Sequence, residues 1–345
     1  MAPYIRYFNA SGHEVHLISL SPAPDYGVPT YNVGFGEKYS LTQGKWKYPL
    51  SLLRARHLIS KLKPDILHTH YVTSGGLAAL MCGFHPVITT IHGSDIHFGI
   101  KSRIWKPLLK IIFKYVDCIN TCTEDQKQKV LSLGIKTEKI RVVNPGVDSE
   151  VFPFRTPRPI ENRPLRLVTT RSLEPIYDHP TIIKALSFVR GEKRDFIMTF
   201  VAGGSMLGEL KNMVDKEGLT ENVKFLEGVD KNQIVNILHE NDVFISSPLY
   251  DGISVALLEA MSVGLFPIAS DIEVNSNWIE HGVEGFLHKA GDPQSLANCI
   301  LETYNHPQLI KNATNRNHQR ILEHGDTNTN MKKIENIYKD LVGIK

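Results

Sequence analysis

The chain has 345 residues, of which 42% are apolar and 22% charged, enough to fill two cores at roughly 150 residues per domain. That composition excludes a disordered, collagenous or coiled-coil chain, and no apolar stretch reaches the ~18 residues of a membrane span. The net charge is +3, yet residues 1–152 carry 18 Lys and Arg against 11 Asp and Glu, whereas residues 153–345 carry 21 against 25.

A basic half joined to a mildly acidic one suggests two domains with different partners. An anionic acceptor or a membrane surface could face the first. No nucleic-acid motif accompanies its charge, so no nucleic-acid partner is expected. Residues 1–6 lack the basic stretch and apolar run of a signal peptide. Cys82, Cys118, Cys122 and Cys299 do not form a disulfide framework or a zinc spacing, which fits reduced thiols in a cytoplasmic protein.

In chain order, residues 1–11 have a helical pattern, and apolar strand runs follow at 14–20, 65–69, 87–91, 118–121 and 140–143. A nucleotide-type α/β domain normally opens with a strand. Either the natural chain begins here or an opening strand is missing. Prolines at 153, 157, 159 and 164 exclude helix and inner strand and mark 153–164 as a linker. Further strand runs lie at 166–169, 197–202, 223–226, 243–246 and 266–270. Helical patterns occupy 49–62, 103–115, 181–190, 207–217, 231–240, 254–263 and 293–304. Continuous apolar runs alternating with helices predict parallel sheets covered on both faces. The expected layout is an α/β domain over 1–152, the linker, a second over 165–326, and a helix over 327–345 that docks back. Two such domains in tandem would place a cleft at the carboxyl ends of their strands.

The segment from Ser246 to Met261, SSPLYDGISVALLEAM, carries the strongest chemical signal. A strand ends, a loop follows, and a helix starts near Ser254, a residue type suited to an N-cap. Backbone amides at a helix start make an anion site, and Gly252 allows close backbone approach. Asp251 and Glu259 stand eight residues apart, one in the loop and one inside the helix. Glu259 could accept hydrogen bonds from a ribose diol while Asp251 faces a second polyol. Either feature alone would suggest an ordinary capped helix; together they favour a nucleotide-sugar site.

This D-x7-E segment resembles the E-x7-E signature of retaining glycosyltransferases of the GT-B fold, family 4, with a shorter first acid. Further stretches resemble the family in order and spacing: GHEVHL at 12–17, PDILHTH at 64–70, TIHGSD at 90–95, NPGVD at 144–148, TRSLEP at 170–175, AGGS at 202–205 and EGFL at 284–287. The resemblance implies two Rossmann-like domains facing each other across a cleft, with the donor mostly on the second and the acceptor on the first. It implies that Glu259 holds the ribose and that Asp251, Gly252, Ile253 and Ser254 touch the sugar. Arg171 fits the family arginine that neutralises the diphosphate, since a guanidinium binds phosphate oxygens bidentately. Tyr177 stands where the family has a lysine. His92 matches a histidine that contacts the donor sugar across the cleft, and Asp95 would orient groups nearby.

Gly203–Gly204 either passes close to the nucleotide or is a plain strand-to-helix turn; the residues leave both open. His68 and His70 share a strand face, and cleft lining or a core role is favoured over metal ligation. No D-x-D triplet occurs, so a metal-free reaction without a cofactor is expected. Gly34-Phe35-Gly36 lacks the third glycine of a dinucleotide fingerprint, which argues against a dehydrogenase. Arg103, Lys106, Lys110 and Lys114 fall on one stripe beside Trp105, Leu108, Leu109, Ile111, Ile112 and Phe113. That stripe either is solvated or rests on anionic lipid, which would make the protein peripheral at the cytoplasmic face of a membrane.

The expected activity is transfer of a sugar, with retention, from a nucleoside-diphosphate donor, UDP- or GDP-linked, to a hydroxyl acceptor in polysaccharide, lipopolysaccharide or glycolipid synthesis. Two rivals stand beside it. One is a sugar-nucleotide epimerase on the same fold. The other is a catalytically weak binding subunit, suggested by Asp251 and Tyr177 at positions where the family has Glu and Lys.

Overall fold

The structure, a computed structural model, describes residues 2–34, 48–160 and 163–343. Phe35 and Gly36 of the glycine pair lie outside the described residues. The chain forms two compact units, Met1–Pro145 with Asn328–Lys345, and Gly146–Thr327.

The first unit begins with helix α1 (Ala2–Ala10), then β1 (Leu17–Ser19) and β2 (Thr30–Asn32), which pair in parallel as a separate two-stranded sheet. Next come α2 (Tyr48–Leu62), β3 (Leu67–His70), a π-helical turn (Tyr71–Gly76) and α3 (Leu77–Cys82). The unit continues with β4 (Val87–Thr90), α4 (Ser94–Lys101), α5 (Trp105–Tyr115), β5 (Cys118–Thr121), α6 (Glu124–Leu131) and β6 (Ile140–Val142). Strands β3-β4-β5-β6 form a parallel sheet in that order. Every residue of β4 and β5 is buried, as coverage on both faces demands. Arg103 lies in the turn before α5 rather than on it, a correction to the four-residue basic stripe. The 103–115 pattern reads as one helix, but Lys106 N–H reaches back to the Ser102 carbonyl and the helix proper starts at Trp105.

The second unit holds β7 (Leu165–Thr169), α7 (His179–Gly191), β8 (Phe196–Val201), α8 (Leu207–Lys216), β9 (Val223–Leu226) and α9 (Lys231–His239). It continues through β10 (Val243–Ser246), α10 (Val255–Val263), β11 (Phe266–Ser270), α11 (Glu273–Ser276), β12 (Phe286–His288), α12 (Pro293–Asn305) and α13 (Pro307–Arg320). Its six strands are parallel in the order β12-β11-β10-β7-β8-β9. The chain winds outward from β7 through β8 and β9, then returns to β7's other side with β10. The gap between the loops that follow β7 and β10 is therefore a topological switch point, where open α/β sheets bind ligands.

The unit boundary falls at Pro145–Gly146, ahead of the proline-rich stretch. Residues 146–152 belong to the second unit because their apolar side chains are anchored there. Val147 bridges Asp326, Phe152 is buried in that unit's core, and Ser262 Oγ donates to the Phe152 carbonyl at 2.7 Å. The last helix, α14 (Thr327–Val342), returns to the first unit. Met331, Ile334 and Ile337 pack with Tyr4 and Phe8 of α1 against Ile88 and Cys118, and each such burial contributes roughly 1.5–3 kcal/mol. All four cysteines are free and buried.

Candidate active site

In the second unit β7 and β10 are neighbours, so the loops after them lie side by side. Arg171 follows β7 and Asp251 follows β10. A guanidinium nitrogen of Arg171 donates to Asp251 Oδ2 at 2.6 Å, and both side chains are only 9% exposed. The guanidinium also lies on the Tyr177 ring, 4.1 Å from its centroid. The aromatic that stands in place of a lysine thus holds the arginine by cation–π contact instead of adding a second charge. Burial pushes the Asp251 carboxyl up from its ordinary value, opposed by Arg171 and by the amides of Gly252 and Ile253.

Gly252 N–H donates to Asp251 Oδ1 at 2.8 Å, and the Ile253 amide also favours the ionised carboxylate. Asp251 therefore collars the loop amides that the sequence suggested for the donor. Ser254 occupies the N-cap position of α10, but its hydroxyl makes no cap hydrogen bond. Its side chain is 3% exposed, and Ser254 Oγ, like Ser246 Oγ, Ser247 Oγ, Thr170 Oγ1 and Arg171 Nε, is buried with no hydrogen-bond partner among the described residues. Buried polar atoms normally find partners. Five orphans at the end of β10 and on the segments following β7 and β10 mark a place built to meet a polar molecule or solvent.

Glu259 lies one turn into α10 and is half-buried. Gly204 has a steric reason of its own: a Cβ there would sit 2.4 Å from the Leu173 carbonyl oxygen. It is exposed, so the turn reading and proximity to a ligand are compatible. Near it, Glu174 accepts from Ser205 N–H at 3.0 Å and Ser205 Oγ at 2.6 Å, which ties the loop after β7 to the loop after β8.

The first unit holds a second cluster. His70 ends β3 and His92 follows β4, its parallel neighbour. His70 Nδ1 and His92 Nε2 share a hydrogen bond of 3.0 Å. The His68 and His70 rings stack at 4.6 Å, and His68 bonds Thr90 Oγ1 at 2.7 Å and the Tyr338 hydroxyl from α14. Burial lowers the basicity of all three, taking His68 to about 3 and His92 to about 4, so each is neutral near pH 7. Asp95 does not face outward. It is 7% exposed, and its carboxylate accepts from the backbone N–H groups of Val72, His92, Gly93 and Ile96 at 2.8–3.2 Å. It pins the loop that carries His92. Among the described residues, no group of three or more His, Cys, Asp or Glu is arranged to hold a metal.

Three participants escaped the sequence. Tyr71 has φ +64°, in the left-handed region rare for a residue with a Cβ, and stacks on His92 at 4.4 Å. Tyr4 and Tyr338 come from terminal helices, and no local signal ties them to a histidine on β3.

Residues 4–151 match the model of Glycosyltransferase Family 4, and residues 153–320 match that of Glycosyl transferases group 1. The chain belongs to this glycosyltransferase family. It is 26% identical to the putative glycosyltransferase EpsD of Bacillus subtilis, covering 98% of this chain and 93% of that one. It is 27% identical to the UDP-Gal:alpha-D-GlcNAc-diphosphoundecaprenol alpha-1,3-galactosyltransferase of Escherichia coli, covering 85% and 79%. The crystal structure of Anabaena Alr3699/HepE in complex with UDP and glucose superposes with a TM-score of 0.80 at 16% identity, covering 98% and 95%. The fold of this glycosyltransferase is accordingly GT-B, two Rossmann-like domains in one chain, and its activity is sugar transfer.

Proposed function

We propose that this glycosyltransferase moves a sugar, with retention, from a nucleoside-diphosphate donor to a hydroxyl acceptor in building a cell-surface polysaccharide, lipopolysaccharide or glycolipid. The observation that carries the proposal is the buried Arg171–Asp251 pair at the switch point, with Glu259 on the helix that follows. The E. coli relative's name gives a UDP-linked donor and a diphosphoundecaprenol acceptor, and the HepE structure holds UDP and glucose; both support the reading.

In this reading Glu259 accepts the ribose hydroxyls. The diphosphate competes with Asp251 for the Arg171 guanidinium, whose fixed fork suits phosphate oxygens. Asp251, released in part, accepts from a sugar hydroxyl beside Gly252, Ile253 and Ser254. Charge that develops on the leaving diphosphate meets Arg171 and the positive N-terminal end of α10. The acceptor oxygen then bonds the anomeric carbon on the face the diphosphate leaves, and its proton passes to the departing phosphate. His92 contacts the sugar and supports the transition state. His92→Ala is expected to leave UDP or GDP binding within about twofold and lower transfer about 10²-fold or more, measured by calorimetry and product mass. A fully active variant would make His92 structural.

Membrane contact is the second element of the proposal. Ile104 is 79% and Ile111 55% exposed, beside Lys106, Lys110 and Lys114 on α5 and Arg103 ahead of it. Exposed isoleucines among cations suit anionic lipid better than water. No helix among the described residues is long and apolar enough to cross a membrane. Co-flotation with phosphatidylglycerol vesicles is expected for the native chain and is lost in K106E/K110E/K114E. Equal flotation of both would remove this contact.

The experiment for the main proposal is a thermal-shift screen against UDP-, GDP- and ADP-sugars, then mass detection of product with glycan and lipid-linked acceptors. One donor is expected to raise the melting midpoint and yield a mass increase of one sugar residue; no shift and no product with any would overturn it.

A further inference from the structure

We infer that His70 is the positioning residue of the reaction, fixing the ring and tautomer of His92 through the Nδ1 to Nε2 hydrogen bond. The inference rests on the catalytic reading of His92 given above.

Two neutral imidazoles joined nitrogen to nitrogen share one proton, so one donates and the other accepts. The tautomer of His92 is then tied to that of His70. The direction of that bond sets the character of His92 Nδ1 toward a substrate: a donor when His70 donates, an acceptor when His92 does. A histidine that alternated between tautomers would present the wrong one part of the time.

His70 is suited to this because its own ring is clamped. One face stacks on His68 at 4.6 Å and 17°, and Tyr4 meets it edge-on at 4.9 Å. His68 is held in turn by Thr90 and by Tyr338. Thr90 also accepts from Asn120 Nδ2 at 3.1 Å. The backbone is fixed as well: a Cβ on Gly75 would lie 2.5 Å from the His70 carbonyl oxygen, so only glycine lets the 71–76 turn close against it. That closure puts Tyr71, at its positive φ, on the His92 ring. His92 is thus held by a ring stack and by one hydrogen bond to a partner that cannot turn. The groups facing the pair are His68, Tyr4 and Tyr71, with Asp95 under the His92 backbone. A structural filler needs no such chain of directed bonds; a ring whose tautomer matters does.

The test uses the full chain with two substitutions. His70→Leu removes the bond and keeps an apolar side chain. His70→Asn keeps an amide close to the place of Nδ1. Imidazole 15N spectra are expected to show His92 as a single tautomer in the native chain and in His70→Asn, and as a mixture in His70→Leu. Turnover is expected to fall about 10- to 100-fold in His70→Leu with donor KM within about twofold, and to recover largely in His70→Asn. In a His92→Ala background, His70→Leu is expected to cost nothing further. An unchanged His92 tautomer in His70→Leu would overturn the inference, as would native turnover or an equal further loss on the His92→Ala background. A fully active His92→Ala overturns the catalytic reading instead, and the spectra then still decide whether His70 holds the ring.

Discussion

Arg171→Ala is expected to lower turnover by about 10²- to 10³-fold, the size seen when one preorganised group that meets developing charge is removed. The loss follows from three features of the side chain. It cannot lose its proton, it is nearly excluded from water, and it is aimed by Asp251 on one side and Tyr177 on another. Folding should suffer less than activity. Without the guanidinium, Asp251 keeps the Gly252 and Ile253 amides and can take up a proton, which burial already favours. The converse substitution behaves differently. Asp251→Ala strands a buried cation that cannot neutralise itself, and stability should drop by about 3–5 kcal/mol. Denaturant titrations with turnover assays on both variants check this asymmetry. Native turnover in Arg171→Ala would remove its phosphate role.

Glu259→Ala is expected to weaken nucleotide-sugar binding about 10- to 100-fold. A hydrogen bond to a carboxylate is worth about 1.5–3 kcal/mol, and 1.4 kcal/mol is a factor of ten in affinity. The half-buried side chain sits within α10, where alanine has the highest helix propensity, so the fold should tolerate the change. Calorimetric titration with the donor checks it, and unchanged affinity would remove Glu259 from the site.

Much of this was legible in the sequence for a simple reason. β10 and β11 are buried on both faces, and such strands appear as largely apolar runs. β2 and β12 have three residues each, too few to establish a period, and their placement depends on pairing. Arg171 and Asp251 were each legible beside a strand end. Their ion pair was not, because it spans 80 positions and exists only once β10 inserts next to β7. The amides of 252 and 253 look open in a sequence and are collared in the fold, since a carboxylate one residue earlier reaches them first. Ser254 has the side chain of a cap but buries its hydroxyl instead. The bond between His70 and His92 required the parallel register of β3 with β4. Tyr338 required the return of a helix from the far end of the chain.

The location of the donor is the claim on which the rest depends, and hydrogen–deuterium exchange with and without the donor found in the screen tests it most directly. Added donor should slow exchange in peptides spanning 170–178 and 250–260 of the native chain, and much less in Glu259→Ala. Protection confined to the first unit, with those two segments unchanged at saturating donor, would contradict it.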